Sequence, residues 1–313
     1  MALVLCVIRS KELYEKIYMG PIYKASLFYI PLKFELVEHL RTEKDTIYCR
    51  YFNHQRKEIG PSFKTVVFPE FNVHCLRRKG AKYISLTDTS NESYEYPVPI
   101  IDRTNHVPIH YFSACLAPIY GAKPKWLLLS EFIEHHKIQG VTYFYIYINE
   151  IEEYSRMLID DYVRTGDAEV IILRDRFIRD GLMWQMPQLQ ECLTRARGHS
   201  EWVALIDLDE RLTTTEYRGT LVDYLKDISD PTVAEVSIRQ RWIPWNETLP
   251  EKYVDEFQID EWMPTRRYHN TSHVGPRGYA GKYIINPKKD HPFRLDHHCT
   301  WGPHKLELRP LNA

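Results

Sequence analysis

No run of this sequence is long and apolar enough to cross a bilayer. Residues 2–8 are apolar but far short of the ~20 a span needs, and no signal-peptide cleavage pattern follows them. No Cys-x-x-Cys occurs among the six cysteines, which excludes a zinc ribbon or a thioredoxin-type redox site. Neither sign of charge is in excess. Lys+Arg 41 against Asp+Glu 42 leaves a net −1, so no global field recruits nucleic acid or an anionic membrane. Internal repeats and low-complexity tracts are missing as well, which excludes a solenoid or a disordered array.

What is present begins with size. A chain of 313 residues allows one large α/β domain with an appendage, or two domains, with a sizeable core. Aromatic residues make up 13%, with Tyr 22 and Trp 7; flat apolar faces carrying a donor suit sugar rings and large cores alike. The cysteines are widely spaced and even in number, which permits disulfides, and Cys49 with Cys75 can bridge. Three N-glycosylation sequons, Asn91-Glu-Ser, Asn246-Glu-Thr and Asn270-Thr-Ser, tip the reading toward the secretory lumen.

One stretch organises the rest, Trp202-Val-Ala-Leu-Ile-Asp-Leu-Asp-Glu210. Five apolar residues without a polar break predict a strand covered on both faces. Asp207, Asp209 and Glu210 then follow, with Arg211 directly after. Three carboxylates at the carboxyl end of a central strand repel one another unless a cation or a firm hydrogen-bond network sits among them. That edge is also where open α/β sheets place their ligands. The plainer reading of the same residues is an acidic turn capping a following helix.

Residues 1–40 carry two strand-like runs, 27–30 and 34–37, and nothing that looks chemical. From 46 to 99 short β-type runs alternate with turn residues: 47–52, 64–68 and 82–86. They predict a small β-rich unit over residues 1–100, closed by an extended, proline-bearing linker at 94–102. The pattern then changes. A strand at 111–116, a helix at 125–139 with Leu128, Phe132 and His136 on one stripe, and a strand at 141–148 follow. A helix at 152–164 capped by Gly166, a strand at 169–173 and a helix from Pro187 to 197 complete the run up to Trp202. Leu189, Leu193 and Ala196 mark the inward face of that last helix. This βαβαβαβ order predicts an α/β fold with a mostly parallel, doubly wound sheet over residues 101–313, the acidic triplet at its ligand edge. Beyond Arg211 a short helix at 220–227 and a strand at 234–242 are expected. The Trp-, Pro- and His-rich remainder reads as loops over the sheet edge.

These residues resemble glycosyltransferase family 92, secretory-pathway enzymes with a GT-A fold. The resemblance runs through Tyr48-Cys-Arg-Tyr-Phe52, Cys115-Leu-Ala-Pro-Ile-Tyr-Gly121 and Trp126-Leu-Leu-Leu-Ser-Glu-Phe-Ile-Glu-His135. It continues through Gly140-Val-x-x-Phe-Tyr-x-Tyr147, Gln190-Glu-Cys-Leu-x-Arg-Ala-Arg197 and Trp202 to Leu212. It implies inverting transfer of a sugar, most often galactose from UDP-galactose, onto an N-glycan, with Mn²⁺ at the Asp-x-Asp. The implied partners are therefore a nucleotide-sugar donor and a glycan acceptor. The implied place is the Golgi or another secretory lumen, and no oligomeric state is implied. The family's amino-terminal membrane anchor is absent from these residues. The family pattern also continues past Leu306-Glu-Leu-Arg-Pro-Leu311, so the transferase domain is expected to be incomplete at its carboxyl end.

That chemistry needs a divalent ion to offset the charge developing on the departing diphosphate. Asp209 and then Asp207 are the candidate ligands, with Asp207 shared with the ribose. The resemblance of Leu295-Asp-His-His298 makes His298 the third. The nucleotide needs a floor, for which Pro118 and Tyr120 after the first strand are candidates, and Lys282 can reach a phosphate. A carboxylate must take the acceptor's proton. It lies within Asp255-Glu-Phe-Gln-Ile-Asp-Glu-Trp262, where Asp260 and Glu261, beside Trp262 for sugar stacking, are the choices against a plain solvated acidic loop.

Two other classes share these residues. One is a non-catalytic glycan-binding or scaffolding protein on a transferase fold. The other is a phosphohydrolase of the haloacid-dehalogenase type using Asp207, although Arg211 stands where that motif has Thr or Val and the βα units precede the motif.

Overall fold

The stretch from residue 200 to 206 is a strand buried at every position but Glu201, and the sheet is built to either side of it. The computed structural model describes residues 3–7, 17–19, 46–66, 72–91, 97–103, 105–173, 184–215, 217–243, 247–268, 270–275, 281–289 and 307–310. Expectations for residues 27–30, 34–37 and 291–304, His298 among them, lie outside the described residues. The chain divides into two compact units, residues 1–109 with 174–199, and residues 110–173 with 200–313.

The first unit is mainly β. Strand β1 (Leu3–Val7) pairs antiparallel with β5 (Asn72–Leu76). A five-stranded sheet runs in the order β2 (Ile17–Met19), β7 (Val98–Asp102), β6 (Tyr83–Thr87), β3 (Thr46–Phe52), β4 (Phe63–Val66). The expected linker at 94–102 is thus a strand in its second half. Pro99 is tolerated near the start of β7, and β-branched Val98, Ile100 and Ile101 favour the pleat. Cys49 and Cys75, both fully buried, form the anticipated disulfide between β3 and β5. Arg50 is clamped in bidentate fashion by Glu58 at 2.8 and 2.6 Å. A helix over Gln185–Ala196, α3, belongs to this unit, with Leu193 and Ala196 buried as expected and Leu189 only half-buried. Glu191 and Arg195 form a fully buried ion pair on it.

The second unit holds a seven-stranded sheet in the order β10 (Ala168–Ile172), β9 (Tyr143–Ile148), β8 (His110–Ile119), β11 (Ser200–Ile206), β13 (Lys282–Ile285), β12 (Val233–Ile238), β14 (Glu307–Pro310). The first four are mutually parallel, as the βα alternation predicts. The last three add on antiparallel. The Trp-, Pro- and His-rich remainder beyond residue 242 is therefore not loop alone, because Tyr283-Ile-Ile supplies the strand that flanks β11.

Helix α1 (Trp126–Ile138) buries Leu129, Phe132, Ile133 and His136, the spacing of one helical face. Leu128, expected on that stripe, is only half-buried, because the face is centred one position further along. The backbone of Gly140, at φ +95, ends this helix in the left-handed region, and a side chain there would run into Val222. Helix α2 (Glu153–Thr165) ends at Gly166 with φ 84, and Leu158 and Tyr162 pack against the core. Phe112, Ala114, Leu116, Phe144, Ile146, Trp202, Ala204, Ile206, Val236 and Ile284 are among the sheet residues of that core. Helix α4 (Leu221–Lys226) is capped by Thr220 in a reciprocal box with Asp223. Two short surface helices follow, α5 (Glu256–Trp262) and α6 (Pro264–Arg267), with no buried residue in either.

Candidate active site

The parallel strands β8, β9, β10 and β11 all present their carboxyl ends at one edge of the sheet, and register decides which residues meet there. Leu116 pairs with Ile206, so the residues after each share the edge. Leu205 pairs with Tyr283, which sets Lys282 beside the exit of β11. Ile238 pairs with Lys282, which brings in Gln240.

Asp207 to Glu210 form a tight turn, closed by the Glu210 amide donating to the Asp207 carbonyl at 3.1 Å. No helix follows it directly, and the next one is capped by Thr220, so the helix-capping reading of the acidic residues falls. The repulsion expected among the carboxylates is met by a cation. Lys282 Nζ donates to Asp207 Oδ2 at 2.5 Å and lies 3.0 Å from Glu210 Oε2. Glu210 also accepts from the Asp207 amide at 3.0 Å and from Gln240 Nε2 at 3.0 Å. Burial pushes the Glu210 carboxyl up to about 7, Lys282 opposing and Asp207 adding to the shift. Burial alone would lower the Lys282 ammonium, but Glu210 and Asp207 together hold it above its ordinary value. Asp209 is exposed and makes no hydrogen bond or ion pair among the described residues.

The path of the turn is set by residues with no chemistry of their own. Arg211 donates to Glu131 Oε2 at 3.1 and 2.7 Å and to the carbonyls of Leu208, Glu210 and Leu128. Glu131, only 6% exposed, also accepts from the Thr265 amide at 2.8 Å. Leu212 is gripped at both ends of its own residue. His136 Nε2 accepts from its N–H at 3.3 Å, and His135 Nε2 donates to its C=O at 2.8 Å. Since His136 Nδ1 lies 2.7 Å from the Phe132 carbonyl, it carries the proton and Nε2 is the acceptor.

That buried, neutral imidazole has a measurable consequence. Burial, with His135 next in weight, pushes the His136 pKa down from 6.5 to about 3. A group whose folded pKa lies below its unfolded value binds its proton first in the unfolded chain, so stability is complete above about pH 6.5 and falls as pH drops toward 3. Between pH 6.5 and 5 the loss should be about 2 kcal/mol. Urea unfolding of wild type and His136→Gln at pH 7 and 5 checks this. Wild type should show about one proton more of pH dependence, and equal slopes would contradict the assignment.

The remaining candidates are scattered. Pro118 is buried inside β8, where the pairing with β9 shifts register, and so serves the strand. Tyr120 is 54% exposed just past the strand's end. Asp260 and Glu261 stand exposed on α5, Asp260 paired with Arg266 and Glu261 3.9 Å from Arg267. The guanidinium of Arg267 lies 4.3 Å over the Trp262 ring, so one stacking face of that indole is occupied. Among the described residues neither carboxylate bonds to the acidic turn. Glu131, His135, His136 and Gln240 escaped sequence reasoning. Glu131 and His135 stood in the Trp126–His135 motif and His136 on the helix's apolar stripe, but nothing local marked what they would meet.

Among the described residues, no group of three or more His, Cys, Asp or Glu is placed to hold a metal ion. The donor chemistry still fits a hard divalent ion of the Mg²⁺ type, which takes one or two carboxylates and fills its other positions with water and substrate phosphate. Asp209 is available outright, and Asp207 offers the oxygen that Lys282 does not hold.

Comparison with curated proteins returns no match. Among solved structures, the mannosyltransferase PcManGT from Pyrobaculum calidifontis, in complex with GDP-Man and Mn²⁺, is similar at 19% identity and a TM-score of 0.30. The likeness covers 42% of this chain and 36% of that one, so the chain spans little more than a third of its length. The model of glycosyltransferase family 92 matches residues 110–299, beginning at the first residue of β8 and taking in the acidic turn and Lys282. With more than half of its length matched by that model, this chain belongs to glycosyltransferase family 92.

Proposed function

We propose that this transferase moves galactose from UDP-galactose onto a glycan acceptor such as an N-glycan, with inversion, and that it uses Mn²⁺ at the Asp207–Asp209 turn. The observation that carries the reading is the acidic turn at the carboxyl edge of four parallel strands, with an ammonium already between two of its carboxylates. When bound, the ion supplies the charge that offsets the departing diphosphate. Asp209 and Asp207 hold it, and His298 is the proposed third ligand. Lys282 reaches the phosphates, Tyr120 and the backbone around Pro118 border the nucleotide, and Asp260 or Glu261 takes the proton from the acceptor hydroxyl. Residues 101–313 form the transferase domain on this reading, and residues 1–100 a β-rich accessory. The Cys49–Cys75 disulfide and the exposed sequon residues Asn91 and Asn270 support a secretory lumen, with a membrane anchor as in the family.

The phosphohydrolase reading has no support, since the strands after Asp207 are all antiparallel additions rather than βα units. A thermal-shift screen of UDP-sugars with Mn²⁺ present tests the proposal. A donor at a hundred times its Kd should stabilise the fold by about 2.7 kcal/mol. Slow manganese-dependent hydrolysis of UDP-galactose marks an enzyme, whereas a glycan-binding module leaves the donor intact.

A further inference from the structure

We infer that Lys282 is a resident counter-ion of the acidic turn, and that Asp207 exchanges this ammonium for the divalent ion while Lys282 passes to the donor diphosphate. The inference rests on the sugar-nucleotide reading and adds a second task for one side chain. Its basis is charge and geometry. Asp207 and Glu210 share a single ammonium, and Asp209 makes no hydrogen bond or ion pair among the described residues, so the turn keeps surplus negative charge. Arg211 offsets little of it, because its guanidinium is paired with Glu131 at 2.7 Å and feels Asp209 and Glu210 only more weakly. One divalent ion would cancel the surplus.

Geometry makes the exchange local. Lys282 pairs with Ile238 of β12, and its neighbour Tyr283 pairs with Leu205 of β11, so its backbone is fixed and only its four-carbon stem can move. Its Nζ holds Asp207 Oδ2, next to Asp209, which makes no hydrogen bond or ion pair among the described residues, so an ion on the other Asp207 oxygen draws on the same carboxylate charge that holds the ammonium. Glu210 stays behind as the fixed anchor, held by Gln240 and the Asp207 amide. A compact ammonium released from a carboxylate has a phosphate as its natural next partner. Lys282 thus stabilises the turn before the donor arrives and the donor's charge afterwards.

The experiment titrates wild type, Lys282→Met and Lys282→Arg with Mn²⁺ alone, followed by the electron paramagnetic resonance signal of the free ion, and then with UDP at saturating Mn²⁺. The Met variant should bind Mn²⁺ alone about tenfold more tightly and UDP about tenfold more weakly, while Arg stays within about threefold of wild type in both. Unchanged or weaker Mn²⁺ binding in a folded Met variant overturns the exchange. A readout on the wild type itself needs no variant. Acetylation of Lys282, followed by mass spectrometry, should speed up when Mn²⁺ is added without nucleotide, and an unchanged rate overturns the proposal. Wild type that binds neither Mn²⁺ nor UDP would instead defeat the transferase site as such, a result distinct from failure of the exchange alone.

Discussion

An Asp209→Asn protein should fold like wild type and lose metal-dependent donor binding, with transfer reduced by about 10²–10³-fold. The exposed carboxylate of Asp209 makes no hydrogen bond or ion pair among the described residues, so its loss removes no structural contact. Surface changes of that kind usually stay within about 0.5 kcal/mol. Taking one like charge from a crowded set leaves stability unchanged or slightly raised without metal. Calorimetric titration of Mn²⁺ and UDP-galactose, alongside a thermal unfolding scan, separates the two effects. Wild-type donor affinity in this variant would remove Asp209 from the site. Asp207→Asn should differ, because it also disturbs the contact to Lys282 at 2.5 Å.

Glu131→Ala is expected to be the most damaging single change near the site, with a loss of about 3–5 kcal/mol and a melting temperature lower by about 10 °C. The substitution leaves the Arg211 guanidinium, 11% exposed, without its counter-charge, and the Thr265 amide without an acceptor. An uncompensated buried charge is far costlier than an exposed pair. Asp160→Ala, which breaks the half-exposed Arg156–Asp160 pair on α2, should cost under about 0.5 kcal/mol and serves as the control. Chemical denaturation of both variants at pH 7 decides the matter. A Glu131→Ala loss no greater than the control's would mean that water reaches Arg211. Donor binding should fall with stability in Glu131→Ala, since the acidic turn is routed by Arg211.

Legibility in the sequence followed the range of the forces involved. The four parallel strands and the helices between them were readable because period and capping are local: unbroken apolar runs, one-face spacing, Gly140 and Gly166 at helix ends. Strand β13 was not, because four residues between loops have no period, and only pairing with β11 makes them a strand. Strand β7 was hidden by Pro99, which argues for a linker until its neighbours are known. At the site, Asp207 and Asp209 announce themselves by spacing at a strand end. Glu131 does not, since a charged residue on a helix reads as surface until a distant guanidinium is seen to meet it, and His136, placed on the helix's apolar stripe, carries no sign of the Leu212 amide it accepts from. Lys282 was picked out as a phosphate contact, but its present partners, 75 residues earlier in the chain, are visible only in three dimensions. Asp260 and Glu261 met the chemical requirement for a base, but local sequence carried no information on their distance from the turn.

The way Leu212 is held, N–H by one histidine and C=O by the next, means that the loop's route and its charge are inherited separately. Glu131, His135 and His136 all sit on one helix and write the route, whereas Asp207, Asp209 and Glu210 write the charge. A descendant could lose the Asp209 carboxylate, which makes no hydrogen bond or ion pair among the described residues, and keep this route, becoming a lectin-like module of the same shape. On the proposed reading, shape alone would not separate members that transfer a sugar from members that only bind one, since the helix-held route of the loop does not depend on the Asp209 carboxylate.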